Sequence, residues 1–97
     1  MTLKHYISGS EIEGASGRAQ DVFNPASGVV VDQVPLASTA EVDKAVAVAR
    51  EALPGWTATP AAKRAQVMFN FRQLILDNVK ELATLISSQH GKTIDDA

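Results

Sequence analysis

Two histidines, a Gly-Lys-Thr triplet, two adjacent aspartates and two adjacent serines are the residues of this chain best suited to chemistry, and the spacing of each decides what it could do. Neither His5 nor His90 has a second histidine or a carboxylate four residues away, the separation that stacks two ligands on one helix face. A metal site is therefore not expected; His5 reads as a strand residue and His90 as a cation at the carbonyl end of a helix. Gly91-Lys92-Thr93 matches the close of the phosphate-loop pattern, but the position that needs the first glycine is Ile86, and a helical stripe stands where a strand and a Gly-rich turn belong. Gly14 and Gly17 do not complete G-x-G-x-x-G, and no strand leads from them into a helix. Asp95 and Asp96 are consecutive, so on a helix they diverge and cannot share one proton; they read as first-turn acids. Ser87-Ser88 has no G-x-S-x-G elbow around it. From its residues alone the chain is expected to hold no catalytic, no cofactor-binding and no metal-ligating residue.

Composition narrows the partners. Hydrophobic residues at 45% and charged residues at 21% suit a folded chain, being too apolar for a disordered tail and too interrupted for a membrane span. Nine Lys and Arg against eleven Asp and Glu give a formal net charge of -2, without the basic surplus that nucleic acid or an anionic bilayer selects. The absence of Cys removes disulfides, thiolate ligands and a thiol nucleophile. The first six residues carry neither a signal-peptide nor a transit-peptide pattern, and a cytoplasmic location is the expectation.

The elements that would position these residues fall into two regions, β-hairpins over 1–37 and helices over 38–97. Lys4 to Ile7 and Glu11 to Glu13 flank Ser8-Gly9-Ser10, and Gln20 to Phe23 and Val29 to Val34 flank Asn24-Pro25-Ala26-Ser27-Gly28, where Pro25 presets φ and Gly28 permits a positive one. At Ser38 the period lengthens to that of a helix, and Ser38-Thr39-Ala40-Glu41 has capping-box spacing. The apolar stripe Val42, Ala45, Val46, Ala49, Leu53 is expected to end at Pro54-Gly55. A second helix is expected with Thr59 as N-cap and Pro60 at its first position, burying Val67, Met68, Phe71, Leu74 and Ile75, with Phe69 and Leu76 outside that arc. Arg64 and Arg72 are placed on its polar side or edge, paired with a neighbouring element. Trp56 is expected to anchor the first two helices. Asn78 to Glu81 repeats the box spacing and opens a third helix, which Gly91 ends. Thr93-Ile94-Asp95-Asp96 reads as the cap and first turn of a fourth, and a start signal so close to Ala97 leads to the expectation of a fragment.

Taken as one string, Phe23 to Gly28, the Val42 to Ala49 helix, Trp56, Arg64 and His90-Gly91-Lys92-Thr93 resemble the N-terminal portion of the aldehyde dehydrogenase superfamily over nearly the whole chain. Val34 to Ala37, Val67 to Arg72 and His90 to Ala97 look most like the CoA-acylating methylmalonate-semialdehyde dehydrogenases. Gln89 departs from the acidic residue usual there. The resemblance implies an α/β parent of which this piece is the N-terminal β-hairpins, three α-helices and the start of a fourth, with both regions in the N-terminal part of one cofactor-binding domain. It implies an NAD-dependent enzyme of valine catabolism that oxidises a semialdehyde to an acyl-CoA with loss of carbon dioxide, using NAD and coenzyme A.

The nucleophilic cysteine and the NAD-contacting loops of such enzymes lie beyond Ala97, so Asn24, Pro25, Gly28, Arg64, Gly91 and Lys92 count as structural matches, and the 97 residues alone are expected to be inactive. The partners implied are the remainder of the parent chain and further copies of it in a homo-oligomer, with no nucleic acid and no membrane. The competing expectation is a free-standing helical interaction module or a non-enzymatic remnant.

Overall fold

The computed structural model describes residues 2–97. Two antiparallel hairpins come first. Strands β1 (His5–Ile7) and β2 (Ser10–Ile12) are joined by Ser8-Gly9, both with positive φ (56° and 75°), the two-residue turn whose twist matches a hairpin. Strands β3 (Ala19–Phe23) and β4 (Val30–Pro35) pair from Ala19 opposite Pro35 to Phe23 opposite Val30, with a register shift beside Phe23. Between them Asn24 Oδ1 accepts from the N–H groups of Ala26 (2.9 Å) and Ser27 (3.1 Å), and Gly28, at φ 72°, donates to Asn24 O (2.8 Å). This is the Asx turn that an Asn before Pro favours. Thr2 bridges Gln33 in parallel, so the N-terminal residues run along the edge of β4.

Three helices follow: α1 (Thr39–Ala58), α2 (Ala61–Asp77) and α3 (Val79–His90). Several boundaries differ from expectation. Helix α1 runs straight through Pro54 and Gly55 instead of ending there. Proline's φ is already helical, so it removes one hydrogen bond, and four residues of good helix geometry follow it. The end comes at Thr59, whose N–H donates to Trp56 O (3.1 Å) and whose hydroxyl donates to Gly55 O (2.8 Å). Thr59 thus closes α1 and does not cap α2, whose N-cap is Pro60, with no side-chain cap bond. Asn78 likewise forms no box with Glu81: its Nδ2 donates backwards to Leu74 O (2.8 Å), closing α2 at the break before α3. Gly91 ends α3 in the left-handed region at φ 73°, donating to Ser87 O (2.8 Å). Beyond it Thr93 Oγ1 accepts from Asp96 N–H (3.3 Å) and Thr93 O from Ala97 N–H (3.1 Å), one capped turn as the sequence indicated.

These elements form a single layer. The molecule measures 48 × 38 × 15 Å, and the short dimension is little more than one helix diameter of about 10–12 Å. Its radius of gyration is 17.2 Å, where a compact chain of this length would have about 12.5 Å. The accessible surface of 7646 Å² exceeds the roughly 5,400 Å² of a compact monomer of this mass. Among the described residues only Pro35 and Ala83 are buried. The predicted inner stripes are therefore in the open: Val42, Val46, Leu53, Val67, Phe71, Leu74 and Val79 are all exposed, and so is Trp56, the expected anchor of α1 and α2. A stable domain packs two layers around a core, and here one is present. Made alone, the 97-residue chain is expected to self-associate and to bind an apolar fluorescent dye. Sedimentation and hydrogen exchange check this, and a monomer with uniform strong protection in all three helices would contradict it.

Candidate functional site

The densest polar cluster lies where the hairpins meet α1. Ser38 is extended (φ -78°, ψ 163°), and its Oγ accepts from Glu41 N–H (3.3 Å), while the Glu41 carboxylate accepts from Ser38 N–H (2.8 Å) and from the Ser38 hydroxyl (2.9 Å). This is the reciprocal capping box that S-x-x-E spacing predicts. The second carboxylate oxygen reaches across the chain to accept from Ala15 N–H (2.7 Å), and His5 Nε2 lies 3.8 Å from it. Around the same junction the Ser16 hydroxyl donates to Leu36 O and Arg18 Nη2 donates to Ala37 O (3.1 Å). Residues 14–18 therefore clasp the linker from β4 to α1.

Glu41 is pulled down to about 2 from an ordinary value of 4.5, first by Ser38 N–H, then by Ala15 N–H and the Ser38 hydroxyl. Every one of these bonds favours the charged form. Beside the cluster, His5, Tyr6 and Ile7 of β1 face Val42, Ala45 and Val46 of α1 across an open groove of about 430 Å³. Its walls are mostly apolar, and its polar groups are the Glu41 carboxylate, held by its hydrogen bonds, and the His5 imidazole, whose Nε2 has no hydrogen-bond partner. The cluster is a structural clasp.

A nicotinamide dinucleotide needs a Gly-rich turn from a strand into a helix N-terminus whose N–H groups are free for phosphate. The only strand-to-helix step among the described residues is β4 to α1, made by Leu36-Ala37-Ser38, and the positive end of α1 is already met by the Glu41 carboxylate. These residues do not fit the cofactor.

The sequence-selected groups are scattered. His5 lies on β1 and His90 in the last turn of α3, and among the described residues no three of His, Cys, Asp and Glu gather as a metal-holding group. Gly91-Lys92-Thr93 follows a helix, the wrong context for a phosphate loop. The Ser87 hydroxyl donates to Lys92 O (2.6 Å) and Ser88 to Leu85 O (2.8 Å), so both are committed to local turns. The clasp itself was only half visible: the box follows from spacing, but nothing local to Ala15 or His5 signals their approach to Glu41.

Two substitutions probe the clasp in the intact protein. Ser38→Ala is expected to cost about 1 kcal/mol by loss of a cap, and to be non-additive with Glu41→Ala in a double-mutant cycle. Because Glu41 has a folded value of about 2 against 4.5, its contribution is complete above pH 4.5 and is lost as pH falls towards 2. Denaturant midpoints across that window should show an acid-sensitive component that Glu41→Gln removes. Gly14→Ala tests the other side, since its Cβ would stand 2.5 Å from Pro35 Cβ in a buried ring; a loss of about 1–3 kcal/mol is expected.

Known proteins place this arrangement. The aldehyde dehydrogenase family model matches residues 12–97. Malonate-semialdehyde dehydrogenase of Pseudomonas aeruginosa is 48% identical over 96 residues, covering 99% of this chain and 19% of that protein. Malonate-semialdehyde dehydrogenase 2 of Geobacillus kaustophilus is 42% identical over 97 residues, covering 20% of its length. A crystal structure described as a methylmalonate-semialdehyde dehydrogenase from Sinorhizobium meliloti 1021, complexed with NAD, superposes with a TM-score of 0.95 at 48% identity, over 99% of this chain and 20% of that one. The methylmalonate-semialdehyde dehydrogenase of Oceanimonas doudoroffii gives 0.93 at 42% identity, over 98% and 19%. The chain thus spans about a fifth of the length of the relatives it matches.

Proposed function

Because the chain belongs to the aldehyde dehydrogenase family, we propose that it is the N-terminal portion of an NAD-dependent, CoA-acylating (methyl)malonate-semialdehyde dehydrogenase. The observation that carries this reading is the 0.95 superposition at 48% identity on a methylmalonate-semialdehyde dehydrogenase crystallised with NAD. The whole enzyme takes a semialdehyde, NAD and coenzyme A to an acyl-CoA, carbon dioxide and NADH, in the chemistry of valine catabolism. It works in the cytoplasm as a homo-oligomer. Acyl transfer to coenzyme A and decarboxylation follow from the subfamily resemblance of Val67 to Arg72 and His90 to Ala97.

These 97 residues contribute no reacting group. They contain no Cys, and among the described residues the one helix N-terminus that follows a strand is occupied by Glu41. Their part is architectural: a preformed layer, hairpins clasped to helices, against which the remainder of the parent chain completes the cofactor-binding domain. No helix among the described residues is long and apolar enough to cross a membrane. The competing reading as a free-standing module finds no support in a layer with only two buried residues among those described.

The test is the full-length parent protein assayed with malonate and methylmalonate semialdehydes, NAD and coenzyme A. NADH formation that requires coenzyme A, with matching acyl-CoA and carbon dioxide, is expected. Oxidation to the free acid without coenzyme A would overturn the acylating reading. Oxidation of neither semialdehyde would overturn the substrate reading. The 97-residue chain, titrated with NAD by calorimetry, is expected to show no saturable binding in the micromolar range, about 8 kcal/mol of affinity that its occupied helix end cannot supply.

A further inference from the structure

Helix α2 carries a positive charge at the N-terminal end of its apolar face. Val67, Met68, Phe71 and Ile75 stand three, four, seven and eleven residues beyond Arg64, the recurrence of one helix face. Arg64 therefore belongs to that face and not to the polar side where Lys63, Gln66, Asn70 and Gln73 lie. The apolar members of the face are exposed, whereas Arg64 is half-buried, and its Nε is shielded from solvent with no hydrogen-bond partner. Among the described residues no carboxylate comes to it. A guanidinium always carries its charge, so covering this face with a purely apolar surface would strand the charge. The same face runs on into an open groove of about 350 Å³ at the junction of α2 with α3, lined by Phe71, Leu74, Ile75 and Leu82 together with the polar Asn78 and Glu81.

We propose that Arg64 is a docking anchor: the segment of the parent chain that covers α2 sets apolar side chains against Met68, Phe71 and Ile75 and brings oxygen acceptors to the Arg64 guanidinium. This rests on the reading of the chain as part of a longer dehydrogenase. The occupant is the remainder of the parent polypeptide, because a solved relative about five times as long holds this layer in nearly the same conformation, with a TM-score of 0.95. The rise per residue separates Arg64 from Phe71 by roughly 10 Å along the axis, so the docked segment must span that distance between its acceptor and its apolar contact. A carboxylate or a pair of backbone carbonyls would both satisfy the planar fork.

The test uses the full-length parent with Arg64→Met, Arg64→Lys and, as control on the exposed polar face, Lys63→Met. Methionine matches the surrounding face, so if the cover were apolar alone, Arg64→Met would leave stability unchanged or raise it. The anchor requires the opposite: a lower thermal midpoint and backbone amides of α2 that exchange at least about tenfold faster, because the partner's acceptors are left buried and unpaired. Arg64→Lys should recover part of the loss by restoring charge without the fork. Failure of Arg64→Met to fold while Lys63→Met folds would also support the anchor. Unchanged midpoint and exchange in Arg64→Met would overturn it, whatever the dehydrogenase assay shows. A loss that varied with protein concentration would assign the cover to a second copy and overturn the intramolecular occupant. Absence of dehydrogenase activity in the unsubstituted parent would remove the functional reading while leaving the Arg64 result to stand or fall by itself.

Discussion

One carboxylate joins the two halves of this structure. Glu41 sits in the first turn of α1, where the helix dipole and the free N–H groups favour a negative charge, and it spends one oxygen on the box with Ser38. The other oxygen binds Ala15, on the loop that leads from β2 to β3. The capping box alone would hold the helix start, whereas that bond, with those of Ser16 and Arg18 to the linker, holds α1 in its direction relative to the hairpins. Gly14 makes the approach possible by letting the loop lie on the Pro35 ring, closer than any side-chain-bearing residue allows. The residues that clasp and the residue that yields space are neighbours in sequence.

A second tie closes the circuit at the far end. The chain leaves the hairpins at Pro35, crosses the layer through α1 and α2, and returns along α3 to Gly91, where a Cβ would come within 3.3 Å of Pro25 Cγ. Gly91 is thus constrained twice, by its φ of 73° at the helix end and by the ring of the Asn24-Pro25 turn. The result is a layer clasped at the β4–α1 linker, with Gly91 lying close to Pro25, and with only two buried residues among those described. Local hydrogen bonds and turn geometry define the shape, while the hydrophobic contribution that ordinarily stabilises a fold is still to be collected from outside.

What could be read from the sequence follows the same division. The hairpins, the Asn24 turn, the Ser38–Glu41 box and the Gly91 stop are short-range chemistry, and residue types at fixed offsets specify them. Two of the boundaries that differ from the sequence pattern fall on residues with two helices to serve. Thr59 and Asn78 both have N-cap chemistry, yet each turns its side chain back to a carbonyl of the preceding helix, since the carbonyl lies within reach in either case. Pro54 misled because a proline breaks a helix only when the lost bond is not outweighed, and the eight residues from Glu51 to Ala58 hold the turn on both sides of it. Trp56 and the apolar stripes were recognisable as burial surface, but periodicity says that a face is buried, never against what.

Arg64 shows how far that last distinction reaches. A stripe of valine, methionine, phenylalanine and isoleucine would pack onto many surfaces equally well, and its non-directional attraction could not set the register of what lies on it. One arginine in the stripe changes the problem, because its donors are directional and its charge is costly to bury unpaired. A misplaced cover would leave the guanidinium without acceptors, while the correctly placed one completes it. The clasp at Glu41 follows the same logic within the chain: the capping box alone would tolerate many directions of approach, and the bond to Ala15, with those of Ser16 and Arg18 beside it, selects one. In both places apolar area or helix propensity supplies the tendency to associate, and one polar group with few acceptable partners chooses the geometry.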